Sequence, residues 1–199
     1  MRMTRVLAIC SILAMAPAAA LTASAQAQQA APAAAPAVPG LTMTSTGFED
    51  GGIIPPRFTQ AAPNFVSPEL KWTNVPPGVV SFVLIFHDAE GAINKTTEDI
   101  LHWMAFNIPG TVRELPEAVP AVPLLPDGTT QAKNRRGNVG FLGPGMGVAG
   151  PYHHYTFELF ALDNKLDLGP DATRPDVLKA IDGHIVAKAV LVGRFHRLS

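Results

Sequence analysis

One stretch does most to limit how this 199-residue chain folds: Gly137-Asn138-Val139-Gly140-Phe141-Leu142-Gly143-Pro144, followed after a short Gly/Pro run by His153-His154-Tyr155-Thr156-Phe157-Glu158-Leu159-Phe160-Ala161-Leu162-Asp163. Repeated Gly and Pro in the first half permit close turns, so it reads as a loop shaped to approach something. The second half alternates as a strand does. His153, Tyr155, Phe157 and Leu159 fall on one face, and His154, Thr156, Glu158 and Phe160 on the other. A Gly-rich loop thus delivers an imidazole and a phenol to one side of a sheet end, the outline of a polar pocket.

The rest of the chain supplies the sheet. Leu41 to Phe48 predicts a first strand, closed by the turn signal Glu49-Asp50-Gly51-Gly52. Val79 to Phe86 is nearly all apolar and predicts a strand buried on both faces. It ends in His87-Asp88-Ala89-Glu90-Gly91, a burst of ionisable groups where binding loops tend to sit. Leu101 to Ile108 predicts another strand, with His102, Met104, Phe106 and Ile108 on one face. Pro109 to Gly128 is a long Pro-rich connection. Thr173-Arg174-Pro175-Asp176 resembles a capping box opening a short helix, Pro175 to Asp182, with Gly183 where a C′ glycine belongs. His184 to Phe195 closes the chain as a strand. Mostly strands, frequent turns and one late helix give a mainly β class, a β-sandwich-like domain over 41–199.

The N-terminus reads differently. Arg2 and Arg5 precede the apolar run Val6 to Ala20, and Ala23-Ser24-Ala25 and Ala25-Gln26-Ala27 both offer a small-x-small cleavage site. A secretory signal peptide over 1–25, with cleavage possible at 27, is the expectation. Residues 28–40 form a leader dominated by Ala, Pro and Gln that cannot offset its ordering entropy by burial. The expected location is periplasmic or secreted, with no transmembrane segment after signal removal. Cys10, the sole cysteine, leaves with the signal, so disulfides and thiolate metal sites are excluded. Removing Arg2 and Arg5 takes the formal charge from 15 − 16 = −1 to 13 − 16 = −3, without a basic run, so nothing points to nucleic acid.

Three chemistries fit His87, Asp88, Glu90, His102, His153, His154 and Tyr155. Imidazoles, the Tyr155 hydroxyl and loop N–H groups can donate to a phosphate ester or similar anion. His102, His153 and a carboxylate could hold a divalent metal, although no pair has the close helical spacing of metalloproteases. Asp88 with His102 or His153 could act as a general acid/base couple, but no G-x-S-x-G elbow or cysteine nucleophile is present in the mature chain.

Several motifs together carry a family resemblance: Ser67-Pro68-Glu69-Leu70-Lys71-Trp72, Val75-Pro76-Pro77-Gly78, His87-Asp88-Ala89-Glu90, His102-Trp103 with Asn107-Ile108-Pro109, Gly140-Phe141-Leu142-Gly143-Pro144 and His153-His154-Tyr155. In this order and at these separations they resemble the phosphatidylethanolamine-binding protein family, most closely its bacterial, Raf kinase inhibitor-like branch. The resemblance covers Leu41 to Phe195. It implies two antiparallel sheets in a Greek-key sandwich with one or two short helices near the C-terminus, and a small pocket for phosphate-bearing head groups or similar anions. By motif it implies a ligand site of Asp88, Glu90, His102, Gly143, Pro144, His153 and Tyr155, with no cofactor, no metal and no catalytic residue. The implied partners are a small anionic ligand, a protein that the chain inhibits, for instance a protease met through Pro109 to Gly128, or a second copy in a homodimer. The family's Asp-Pro-Asp-Ala-Pro segment is Asp88-Ala89-Glu90-Gly91-Ala92 here, and Gly145-Met146-Gly147 stands where many members carry prolines. Both departures alter the pocket rim and its stiffness.

Overall fold

The computed structural model describes residues 39–92, 95–145 and 150–197. The expected signal peptide, most of the Ala/Pro leader and residues 146–149 after the Gly-rich loop lie outside them. Among the described residues, no helix is long and apolar enough to cross a membrane.

The fold is built on strands β1 (Thr42–Thr44), β2 (Gly52–Ile53), β3 (Leu70–Thr73), β4 (Ser81–Asp88), β5 (Ile100–Pro109), β6 (Glu114–Leu115), β7 (Thr130–Gln131), β8 (His153–Leu162) and β9 (Ile185–Phe195). The one α-helix among the described residues, α1 (Arg174–Ile181), precedes β9. A small sheet runs β1-β3-β6, and a larger one runs β2-β9-β8-β4-β5-β7. The mainly β class is as the sequence implies. The pairings are antiparallel except one: β2 lies parallel to β9, with Gly52 opposite Gly193.

Strand β4 is the axis of the larger sheet, and Phe82 to Phe86 are fully buried. Its continuous apolar run is explained by cover on both faces. On one face, Phe82, Phe86 and Phe157 share a core with Met43, Leu70 and Trp72 of the small sheet. Phe86 stacks on Phe157 with ring centroids 3.8 Å apart. On the other face, Val83, Ile85, Met104 and Phe106 pack with Val177 and Ile181 of α1. Each such side chain contributes about 1.5–3 kcal/mol relative to exposure.

Local chemistry sets the element ends. The Thr173 side chain and Asp176 form the expected capping box at the start of α1, and Gly183 follows at φ +81°. The first strand is shorter than expected, because the Ser45 hydroxyl accepts the Gly47 N–H and bends the chain out of the sheet. A 3₁₀ turn at Pro56–Phe58, near the start of the domain, adds a short helical element where none was expected. In β5, Phe86 pairs with Trp103 but His87 pairs with Leu101, so His102 is the extra residue of a β-bulge. The bulge breaks the alternation. Leu101 and Met104 pack toward α1, whereas His102 turns to the opposite face, against the Phe86 and Tyr155 rings.

Candidate ligand-binding site

At one end of the larger sheet, the C-terminal end of β4, the start of β8 and the bulge of β5 meet the Gly-rich loop around a cavity of about 320 Å³. Asp88 closes β4 and pairs with Tyr155 across the ladder to β8. Its side chain is buried, and both carboxylate oxygens face His153 Nδ1 at 2.8 and 3.0 Å. Nδ1 therefore donates to Asp88 and Nε2 is the free ring nitrogen.

His102 is oriented by a different partner. Its Nδ1 donates to the Leu142 carbonyl at 2.8 Å, while the Leu142 N–H returns a bond to the His102 carbonyl at 2.9 Å. Burial above all pushes the His102 pKa below the ordinary histidine value, only partly opposed by the Leu142 carbonyl and the Asp88 charge. Tyr155 lies fully buried under these groups, its ring edge-on to His102 at 5.3 Å. Its hydroxyl has no hydrogen-bond partner among the described residues. Burial, then the Asp88 charge, raises its pKa and keeps the phenol protonated, a donor held in reserve.

The sequence-predicted residues take distinct positions. Asp88, His102 and His153 line the cavity, whereas Tyr155 does not line it and is buried beside the His102 and His153 rings. Glu90 turns aside: its Oε2 accepts the His154 N–H at 2.6 Å and faces His154 Nδ1 at 3.0 Å, bracing the start of β8. That N–H, more than any other influence, holds the Glu90 carboxyl below its usual range. Gly143 and Pro144 do not line the cavity, whereas their loop neighbours Leu142 and Gly145 do. Gly143 and Pro144 instead pack the loop against the chain behind it. The Pro144 carbonyl accepts the Gln60 N–H at 2.9 Å, and a side chain at Gly143 would bring its Cβ to 2.8 Å from the Phe58 carbonyl oxygen. What the loop approaches so closely is its own chain. His154 is exposed, and His87 lies across the sheet beside Asp99 and Glu158.

Sequence reasoning missed Gln60, Arg135 and Arg136, which also line the cavity. They come from irregular segments with no periodicity to announce them. The adjacent pair Arg135-Arg136 just before the Gly-rich loop was the one available signal. For a cation, the structure groups Asp88, Glu90 and His153, whose ligand atoms lie within 4.8 Å of one another, and His102 does not join them. In that set His153 Nδ1 is already engaged by Asp88.

Comparison with known proteins bears on this arrangement. The family profile described as phosphatidylethanolamine-binding protein matches residues 44–196, nearly the whole described domain. The chain belongs to the phosphatidylethanolamine-binding protein family. A UPF0098 protein of Methanothermobacter thermautotrophicus is 40% identical over 159 residues, covering 79% of this chain and 99% of that one. The UPF0098 protein YbhB of Escherichia coli is 28% identical over 161 residues, covering 78% and 99%. Among solved structures, a phosphatidylethanolamine-binding protein homologue of Chlamydia trachomatis superposes with a TM-score of 0.70 at 28% identity, covering 79% of this chain and 98% of that one. Escherichia coli YbcL, titled a new member of the mammalian family, gives 0.70 at 25% identity, covering 81% and 100%. These relatives put the chain in the family's bacterial, YbhB-type branch.

Proposed function

We propose that this family member is an exported binding protein whose cavity captures a small anion or a phosphate-bearing head group. The observation that carries the reading is the Asp88–His153 pair: with Nδ1 committed to the carboxylate, Nε2 is the one ring nitrogen left to meet a ligand in a cavity of about 320 Å³. With Nδ1–H directed at the Asp88 carboxylate, the imidazolium form presents Nε2–H to an anion while Asp88 balances its charge, a charge-assisted bond of the stronger kind. With its Nδ1 donating to the Leu142 carbonyl, neutral His102 can accept a hydrogen bond from the hydroxyl of a singly protonated phosphate. Export to the periplasm or medium follows from Arg2, Arg5, the apolar run to Ala20 and the Ala-Ser-Ala site at residues 23–25. Calorimetric titration of the mature chain with phosphate, repeated on His153→Ala, tests the pocket. Binding that the substitution removes supports it, and a chain that takes up no phosphate refutes it.

A second reading, inhibition of a protein partner, draws on the segment between β6 and β7. The Gln131 amide holds the Pro120 and Val122 carbonyls at 2.7 and 2.9 Å, while Val122 and Leu124 project into solvent, Leu124 with 64% of its surface exposed. Replacing both by serine would abolish inhibition of a protease and leave phosphate uptake intact. Loss of both properties together would argue against separate surfaces.

A further inference from the structure

Before the Gly-rich loop, the chain makes a tight turn that the family motifs do not explain. The Asn134 N–H donates to the Asn138 carbonyl and the Gly137 N–H to the Asn134 carbonyl, both at 2.8 Å. The Asn134 side chain braces the turn from within, accepting the Arg136 N–H at 2.9 Å and donating to the Gly140 carbonyl at 3.0 Å. The Arg135 N–H donates to the Leu101 carbonyl of β5 at 3.0 Å, fastening the turn to the bulged strand. The turn thereby sets two consecutive arginines, Arg135 and Arg136, into the lining of the cavity.

Both arginines line that cavity and are exposed, so they stand at its opening, whereas Asp88, His102 and His153 are buried within. Arg136 donates to the Gln60 side chain, whose amide in turn holds the Gly143 carbonyl at 2.7 Å, so its position is tied to the Gly-rich loop. Among the described residues, neither arginine is in an ion pair. The residues outside the description contain no Asp or Glu to neutralise them. Arg135 lies near enough for its charge to oppose protonation of His102. Unpaired guanidiniums on a braced turn are an uncommitted anion site, since planar N–H forks match carboxylate and phosphate oxygens.

We propose that Arg135 and Arg136 form a second anion subsite at the opening, so that the preferred ligand carries two anionic groups, one at His153 and one at the arginine pair. This rests on the pocket reading above and narrows it. A zwitterionic head group seated with its phosphate at His153 would point its ammonium toward two guanidiniums, a like-charge contact. A diphosphate, or a phosphate with a carboxylate, would meet opposite charge at both ends.

The test is titration calorimetry at fixed low ionic strength with four probes: inorganic phosphate, inorganic pyrophosphate, phosphoglycolate and phosphoethanolamine. Wild type is expected to bind pyrophosphate or phosphoglycolate roughly tenfold or more tighter than phosphate, the gain of one added charge-assisted contact. Phosphoethanolamine should bind no better than phosphate. Arg135→Gln/Arg136→Gln should cut the affinity for the two-anion probe by a larger factor than that for phosphate, while Arg135→Lys/Arg136→Lys should recover part of the loss. Which of pyrophosphate and phosphoglycolate gains more distinguishes a second phosphoryl group from a carboxylate. Phosphate binding with no gain for either two-anion probe, or with phosphoethanolamine tightest, would overturn the subsite and leave the pocket reading standing. Failure of all four probes would overturn both. Thermal unfolding of the variants checks that these exposed substitutions leave the fold intact.

Discussion

His153 and Asp88, 65 residues apart in sequence, meet with Nδ1 between the two carboxylate oxygens at 2.8 and 3.0 Å. Strand pairing makes the contact. Asp88 sits opposite Tyr155, and period-2 alternation puts His153 on the same face as that tyrosine.

Asp88→Asn keeps the shape of this pair but removes the charge that fixes the imidazole. Stability should fall by about 1–3 kcal/mol, the range for a buried hydrogen bond to a charged group, read from the urea midpoint. Phosphate affinity should fall with it, and no turnover of phosphate esters should be seen in either protein. Turnover that disappears in Asp88→Asn while phosphate still binds would favour an acid/base enzyme.

Two histidines should give opposite pH dependence. At His87, burial disfavours the charged form, but Glu158 at 3.3 Å and Asp99 at 2.6 Å outweigh both it and the Arg174 charge, so its pKa is raised. Its contribution is complete below the unfolded value of about 6.5 and is lost as pH rises through the higher folded value. His102 has a lowered pKa, so its contribution is complete above about 6.5 and is lost as pH falls through the lower folded value. His87→Asn should therefore lose stability toward pH 5, whereas His102→Asn should lose it toward pH 8. Denaturation midpoints at both pH values check this, and parallel profiles for the two variants would contradict it.

Gly143→Ala should destabilise by about 1–3 kcal/mol, because the added methyl group meets the Phe58 carbonyl oxygen at 2.8 Å and Thr59 Cα at 3.0 Å, both backbone. Gly137→Ala, at φ +77° with open space around it, should cost about 1 kcal/mol of backbone strain alone. Thermal unfolding orders the two, and only the first should also weaken phosphate binding.

The strands that carry the site were legible where one physical rule dominates. Period-2 alternation located His153 and Tyr155 together, continuous apolarity marked β4 as covered on both faces, and the Thr173/Asp176 box marked α1. His102 was assigned to the face of Met104 and Phe106, because a β-bulge is set by pairing with a neighbouring strand and leaves no trace in alternation. Glu90 was legible as a carboxylate near the site, but not as a brace, since its partner His154 arrives from 64 residues away. Arg135, Arg136 and Gln60 sit in turns, where side chains are placed by tertiary contacts alone.

The most direct test of the pocket is ¹⁵N NMR of the histidine rings during phosphate titration near pH 6.5. The account predicts that the His153 Nε2 resonance shifts as phosphate is added, with a smaller response at His102 and none at His184, which pairs with Asp163 elsewhere on the surface. Saturable phosphate binding that leaves His153 unmoved, or shifts only the exposed His154 and His184, would contradict it.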